Sequence, residues 1–487
     1  MSAPSTSKAP RLVVADPATG LDFDEVALDD ASTVRAAVMR AEQAQLSWAA
    51  LPANDRADRL QAFADALKSA AHTIAPIMSR EGGKPLVEAL FEVQFTASVF
   101  AYFAGLARNR GGRVAPAASA TSTSFVIREP LGVIGAIVPW NYPLLLWSWK
   151  AAPALASGNC VVAKPSPETP LSLPAACALM TLPDGVHQIV QGGPDVGTAL
   201  VRDPGIAKIA FTGSTTTGKA ILRDCADDAK RCSVEMSGHD AAIVWDDVDL
   251  DVAVEAVLFA AFSNAGQVCT SAERIYVRDT IIDQFTEKLT ARVRALRIGD
   301  PLDVRTQVGP LVSEAHRARI ESYLANAVAA GARVRTGGQR LPRPGSWFEP
   351  TVITNLSHDA ANALGEIFGP IAPVMPIATF DEGIRKANEN RFGLSANVLT
   401  SSLANAMRAA RDLKVGTVWI NNPLMDNLAA PFGGFREAGI GRELGEEGFD
   451  AFTEAKHVWV EPELIEQYYW FRQRDDHLHL LDGSAPA

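Results

Sequence analysis

The stretch Asn264-Ala265-Gly266-Gln267-Val268-Cys269-Thr270-Ser271 places a cysteine after a glycine-containing turn and before small hydroxyl residues. At a helix start, backbone N–H groups would acidify the Cys269 thiol and make it a nucleophile. The competing reading is a buried, inert cysteine, the commoner fate of this residue type. Upstream, Pro139-Trp140-Asn141-Tyr142-Pro143 fixes an Asn between two prolines. The amide either caps that turn or donates to a developing oxyanion, where one donor is worth about 2.7–4 kcal/mol. Val234-Glu235-Met236-Ser237-Gly238 ends an apolar run on a carboxylate. Burial would disfavour its ionisation and poise it as a general base, unless backbone N–H groups satisfy it. Phe211-Thr212-Gly213-Ser214-Thr215-Thr216-Thr217-Gly218-Lys219 follows a strand-like run and opens a helix-like one. A pyrophosphate meets backbone N–H groups and the helix dipole at such a place. The spacing is neither G-x-G-x-x-G nor that of a P-loop, so this turn is ambiguous by itself.

The chain that carries these groups has 487 residues, 47% hydrophobic and 21% charged, enough for two or three domains of an ordinary globular protein. Its formal charge of -11 and scattered basic residues argue against a nucleic-acid partner. The five cysteines, Cys160, Cys177, Cys225, Cys232 and Cys269, include no CxxC pair. Neither a disulfide framework nor a metal site is expected, and a cytoplasmic setting is. Residues 1–10 lack the apolar core of a secretory signal. The apolar region from Leu131 to Ala163 is interrupted by Pro139, Pro143, Lys150 and Pro153, which speaks against a membrane span.

Positioning those groups takes an alternation of short strands and helices. After a frayed start, helical spacing runs through Ser32–Leu51, then through Leu60, Phe63 and Leu67 with Asn54 or Asp55 as cap, then from about Leu86 to Ala107. These form an N-terminal helical layer. A polar arm, Ala115–Ser124, leads to a strand at Phe125–Ile127. Strand-like runs at 133–138, 160–163, 186–190 and 206–211 alternate with helices at 144–155 and near 197–201. The pattern restarts with strands at 241–245, 274–277 and 417–420. Such alternation predicts α/β architecture with parallel, doubly wound sheets.

In order and spacing the motifs resemble the aldehyde dehydrogenase superfamily from about Asp22 to Val460. Lys164-Pro165-Ser166, Gly299-Asp300-Pro301, Val308-Gly309-Pro310-Leu311, Glu366-Ile367-Phe368-Gly369-Pro370 and the run from Pro431 to Glu443 extend the match. The resemblance implies a Rossmann-like cofactor domain (1–113 and 131–237), an α/β catalytic domain (238–446), and a β-arm with its partner strand for oligomerisation (114–130 and 447–466). It implies oxidation of an aldehyde to a carboxylic acid with NAD, NADP being the alternative, and without coenzyme A. Cys269 is then the nucleophile, Asn141 with the Cys269 N–H the oxyanion hole, and Glu235 the base that activates water against the thioester. Lys164 and Ser166 fall at the adenosine ribose, Gly213, Ser214 and Gly218 at the pyrophosphate, and Trp140, Met236, Glu366 and Phe368 at the nicotinamide half. No metal is implied. A homodimer or homotetramer is.

Two positions depart from the family pattern. Pro167 stands where NAD-preferring members carry a ribose-binding Glu, and Glu168 follows one place later. Ser237 replaces the first glycine of a Gly-Gly pair and is expected to crowd the cofactor. By resemblance the aldehyde tunnel is lined by Tyr142, Leu145, Leu146, Trp149, Phe262, Val268, Thr270, Leu424, Met425, Asp426 and Phe432. That lining suits an apolar, medium-chain or aromatic aldehyde. No Arg occurs in 141–150, 262–270 or 420–432, so a semialdehyde carboxylate lacks its usual partner. Ser263 stands where a quaternary-ammonium box needs an aromatic, while Asp426 keeps an aminoaldehyde open. The remaining alternative is a catalytically weak, NAD-binding structural relative, against which the presence of Cys269, Glu235 and Asn141 counts. Residues 467–487 form a tail of unassigned role whose Tyr468-Tyr469-Trp470-Phe471-Arg472 predicts surface docking, or contact with a neighbouring subunit's tunnel mouth.

Overall fold

Two largely parallel sheets position the candidate residues. The computed structural model describes residues 10–464 and Trp470. The first sheet runs, edge to edge, Gly439–Ile440, Arg231–Glu235, Ile206–Thr212, Val133–Ile137, Cys160–Lys164 and His187–Ile189. Only the Gly439–Ile440 pairing is antiparallel. The central strands Val133–Ile137 and Cys160–Lys164 are buried along their whole length, as expected where helices cover both faces of a parallel sheet. From Val133–Ile137 the chain winds outward to His187–Ile189, then returns to Ile206–Thr212 on the other flank. This reversal opens a crevice at the carboxyl ends of Val133–Ile137 and Ile206–Thr212, the place where open α/β sheets bind ligands. Trp140-Asn141 and Gly213-Ser214 leave the sheet there.

The second sheet has seven strands, in the order Arg333–Thr336, Thr351–Thr354, Ile371–Ile377, Ala272–Arg278, Asp240–Val244, Ser395–Leu399 and Thr417–Ile420. Arg333–Thr336 alone is antiparallel to its neighbour. The helix Leu86–Asn109 is long and apolar enough to cross a membrane. Here its residues instead fill the core: Phe100 meets Phe63 edge-on at 4.7 Å and Trp147 at 5.1 Å between ring centroids.

Contacts divide the chain into two units, Met1–Asn109 with Pro130–Thr453, and Arg110–Glu129 with Glu454–Ala487. The segments expected as separate cofactor and catalytic domains thus fall into one unit. In the smaller unit Thr123–Pro130 lies between Thr453–Val460 and Arg113–Ala115 in a three-stranded sheet, and Ser124 Oγ lies 2.7 Å from His457 Nε2. Apart from Trp470, the aromatic tail lies outside the described residues.

The structure corrects several local expectations. The start is not frayed: Arg11–Asp16 and Leu21–Ala27 form an antiparallel hairpin. Four N-terminal helices are present, the unforeseen one being Ala71–Gly82 with Pro76 inside it. The helix Ala53–Ser69 begins after Pro52 with no side-chain cap, so neither Asn54 nor Asp55 plays that part.

Candidate active site

Glu235 is the last residue of its strand, and the closing segment wraps round it. Gly439 pairs directly opposite Glu235. At Gly433, whose φ is +151°, an added Cβ would sit 2.7 Å from Glu235 Oε1. Only glycine fits there, because the backbone passes directly over the carboxylate. Neither Glu235 oxygen has a hydrogen-bond donor in bonding geometry. Burial pushes its pKa well above the usual carboxylate range and the nearby Glu443 adds to this, while Lys150, Arg442 and the Gly434 N–H offset it only in part. An unpaired, protonatable carboxylate is what a general base requires.

Cys269 does not begin a helix. A 3₁₀ turn, Ser263–Gly266, ends before it, and the strand Ala272–Arg278 starts after it. Three successive residues of that turn, Asn264, Ala265 and Gly266, have positive φ of 49°, 56° and 71°. Such backbone is held only where its surroundings over-determine it. Here Asn264 N–H donates to Glu88 (2.8 Å), Gln267 Nε2 donates to the Asn264 carbonyl (2.9 Å), and Gln267 Oε1 accepts from Val312 N–H (3.0 Å). The acidified thiol expected from a helix start is therefore absent. Burial, then the carboxylates of Asp240, Asp426, Glu366 and Glu235, push the Cys269 thiol well above its ordinary value. Gly238 touches the same turn, since a Cβ on it would lie 2.3 Å from the Cys269 carbonyl oxygen.

Asn141 Nδ2 donates to the Gln267 carbonyl at 3.0 Å, and Asn264 Nδ2 donates to the Asn141 carbonyl at 3.2 Å. An amide nitrogen carries two hydrogens, so one remains for a ligand. Asn141 and Cys269 line one cavity of about 330 Å³ together with Trp140, Leu146, Thr212, Gly213, Ser214, Met236, Ser237, His316, Arg319, Glu366 and Phe368. This cavity occupies the crevice at the switch in strand order.

Several features of the cavity fit a dinucleotide. Ser214 caps the thirteen-residue helix Thr215–Asp227 by accepting from Thr217 N–H, and the N-terminus of that helix faces the cavity. The Glu366 carboxylate is a ribose-binding type of acceptor, although the Gly238 N–H already donates to it at 3.1 Å and the Ser237 hydroxyl also favours its charged form. Lys164 and Ser166 lie at the end of the strand Cys160–Lys164, outside this lining; burial draws the Lys164 ammonium down to about 8. Gly218 does not face the cavity, because a Cβ on it would meet Met236 Sδ at 2.5 Å.

Of the tunnel candidates, Trp149 and Phe432 stack with centroids 4.8 Å apart, and Tyr142 lies under the Lys84 ammonium at 3.5 Å. Tyr142 and Cys269 both feel the charge of Asp426. Val268 and Thr270 flank the thiol and are buried, and Leu145 packs at the edge of the core next to Tyr142. Leu146 lines the cofactor-side cavity rather than a separate tunnel. Phe262 packs with Val254, Leu258 and Val277 beneath the second sheet, so it is ordinary core.

Three residues at this site escaped the sequence reading. His316 Nε2 donates to the Phe368 carbonyl at 2.8 Å, and Arg319 donates to the Ile367 carbonyl at 2.7 Å. Glu273 accepts from both Ile367 N–H (2.9 Å) and Phe368 N–H (2.6 Å). His316 and Arg319 sit three apart on the helix Glu314–Ala329, one face of which meets the cavity. That spacing was the only available signal.

The family model described as the aldehyde dehydrogenase family matches residues 4–458. A probable succinate-semialdehyde dehydrogenase [NADP(+)] of Sinorhizobium fredii is 41% identical over 455 residues, 92% of this chain and 93% of that protein. Betaine aldehyde dehydrogenase of Bacillus subtilis is 39% identical over 420 residues, 85% of this chain and 86% of that protein. The crystal structure of betaine aldehyde dehydrogenase from Staphylococcus aureus in complex with NAD+ matches with a TM-score of 0.92 at 34% identity, covering 97% of this chain and 95% of that one. The chain belongs to the aldehyde dehydrogenase family.

Proposed function

We propose that this member of the aldehyde dehydrogenase family oxidises an aldehyde to a carboxylic acid with NAD or NADP, through a thioester on Cys269 that water hydrolyses. The observation that carries this reading is the meeting of Cys269, the spare N–H of Asn141 and the N-terminus of the helix Thr215–Asp227 in one cavity, with the unpaired Glu235 carboxylate close enough to act on the thiol. In the first step Cys269 Sγ adds to the carbonyl carbon while its proton passes to the Glu235 carboxylate, which releases it to solvent before the hydrolytic step. The oxygen, now anionic, takes the remaining Asn141 N–H and the Cys269 N–H, preorganised donors of the kind that most lower such barriers. Bound in the cavity, a nicotinamide supplies the hydride acceptor that converting the adduct to a thioester requires. Ser214 and the helix N-terminus would hold its pyrophosphate, and Glu366 and Phe368 its nicotinamide ribose. Glu235 then takes a proton from water, which attacks the thioester, releasing the acid and restoring the thiol.

The tunnel side favours an aldehyde with an apolar body, which would lie along Tyr142, Trp149 and Phe432. The relatives' names point to small polar or charged aldehydes. Reduced cofactor is measured with a panel of aldehydes and both cofactors, using the wild type and Cys269→Ala. Turnover by the wild type and none by the variant is expected; equal activity in the two overturns the mechanism.

A further inference from the structure

We propose that Glu88 is a positioning residue for the reaction: with Glu92, four residues further along the helix Leu86–Asn109, it fixes the oxyanion donor Asn141 in place against Cys269. The proposal rests on the reading of Asn141 as that donor.

Residues four apart on a helix share a face. The face carrying Glu88 and Glu92 meets the backbone on both sides of the candidate oxyanion site. Glu88 accepts from the Asn264 N–H at 2.8 Å, five residues before Cys269. Glu92 Oε1 accepts from the N–H groups of Leu144 (3.0 Å) and Leu145 (3.1 Å), three and four residues after Asn141. These two belong to the first turn of the helix Pro143–Ala156, whose own N-cap, Tyr142, gives it no side-chain hydrogen bond. First-turn N–H groups have no partner within their helix, and a carboxylate there also meets the positive end of the dipole. Glu92 thus caps, from another helix, the element that begins just after Asn141. Lys84 joins the two carboxylates. Its ammonium pairs with the other oxygen of Glu92 and lies 3.5 Å from the centre of the Tyr142 ring, and Lys84 and Glu92 are both buried. Without such a cation, like charges four apart on a helix repel. Desolvation draws the Glu88 pKa up to about 7, although Lys84 and the Asn264 N–H pull it down.

The link from Glu88 to Asn141 is continuous. Asn264 begins the run of three positive-φ residues before the thiol, a backbone that its surroundings must hold. Its side-chain Nδ2 donates to the Asn141 carbonyl at 3.2 Å and to the Gln267 carbonyl at 3.3 Å. Asn141 Nδ2 donates to that same Gln267 carbonyl at 3.0 Å. Loss of the Glu88 acceptor frees Asn264, and with it the contacts that hold the Asn141 backbone and amide. An oxyanion donor acts only when preorganised, so a small displacement costs rate rather than cofactor affinity.

The test is a double-mutant cycle between Glu88→Ala and Asn141→Ala, read by stopped flow as the first-turnover rate of reduced cofactor formation. Butanal and benzaldehyde serve as probes with both cofactors. Asn141→Ala alone is expected to lower the rate about 10²–10³-fold. Glu88→Ala alone should lower it about tenfold with the cofactor Kd unchanged, and by less than about twofold when Asn141 is already replaced. Glu88→Gln, which keeps an acceptor oxygen, should recover most of the loss. Equal costs of Glu88→Ala in the two backgrounds, no cost in either, or no recovery in Glu88→Gln overturns the positioning role and leaves aldehyde oxidation standing. Glu88→Ser, which lets water reach the Asn264 N–H, takes the place of Glu88→Ala if that chain does not fold. If only Glu88→Gln folds, the carboxylate serves stability and the proposal falls. An unchanged rate in Asn141→Ala alone removes the reading of Asn141, and the proposal with it. No reduced cofactor from the wild type with either aldehyde removes the proposed function itself.

Discussion

Glu273 takes the backbone N–H of Phe368 at 2.6 Å, and with its other oxygen that of Ile367 at 2.9 Å. Phe368 has a φ of +54°, a conformation a bulky residue keeps only under constraint. The carboxylate of one element thus sets the backbone that places Glu366 and Phe368 in the cavity lining, where the proposed cofactor would sit. His316 completes the clamp from the carbonyl side, and Trp140 packs on Phe368 edge-on at 5.4 Å. Glu273→Gln would face a backbone N–H with an amide NH2, and an unsatisfied buried donor costs about 1–3 kcal/mol. The expected outcome is a cofactor KM raised about tenfold with little change in kcat. A variant that loses kcat and keeps KM would contradict this positioning role.

As the proposed base Glu235 works only when ionised, and burial holds its pKa well above the usual carboxylate value. The sign follows directly: hydrolysis of the thioester is slow where Glu235 holds its proton and speeds as pH rises past its raised value. Steady-state turnover is therefore expected to climb over a pH range well above that in which an ordinary carboxylate ionises. Glu235→Gln should lower it about 10²–10⁴-fold, while a first turnover still releases one equivalent of reduced cofactor per Cys269. Stopped-flow absorbance across pH reads both. A variant that keeps the wild-type pH limb would remove Glu235 from the water step.

Asn141, Glu235 and Cys269 were legible as candidates because each sits in a short linear motif whose order and spacing match the family's. Glu273, His316 and Arg319 were not, because each acts through a backbone group about fifty to ninety-five positions away, a relation that only the folded chain creates. The parallel strands could be read from unbroken apolar runs such as Cys160–Lys164, whereas the hairpin Arg11–Asp16 with Leu21–Ala27 is mostly exposed and carries little pattern. The acidity of Cys269 was misjudged for a physical reason. A helix terminus can be guessed from neighbouring residues, but desolvation near four carboxylates cannot. Gly218 and Phe262 failed similarly: Gly218 packs on Met236, and Phe262 sits in the second core.

Behind the base, Lys150 Nζ lies 2.7 Å from Glu443 Oε1 and 2.7 Å from Thr212 Oγ1, with both charged side chains buried. Removing one partner of a buried pair strands the other charge and typically costs about 3–5 kcal/mol. Lys150→Met should therefore lower the thermal unfolding midpoint by several degrees. The double variant Lys150→Met with Glu443→Leu should recover much of the loss, because no charge is left unmatched. Equal midpoints for the single and double variants would show that packing, not charge, dominates at this position.

Ser237 departs from the family pattern, and it lines the same cavity as Glu366. Its hydroxyl favours the charged form of Glu366, the carboxylate to which the Gly238 N–H donates at 3.1 Å. Glu366 therefore meets an incoming ribose with part of its acceptor capacity already used. Ser237→Gly removes that hydroxyl and opens room beside Met236, both of which favour the cofactor. Gly238 stays necessary in any case, since its backbone presses on the Cys269 carbonyl. The expected result is a lower cofactor KM or a higher kcat in Ser237→Gly. Ser237→Ala, which removes the hydroxyl but keeps a Cβ, separates the two causes: recovery in Ala traces the effect to the hydroxyl, and recovery in Gly alone traces it to crowding. If neither variant changes KM or kcat, Ser237 exerts no control over the cofactor.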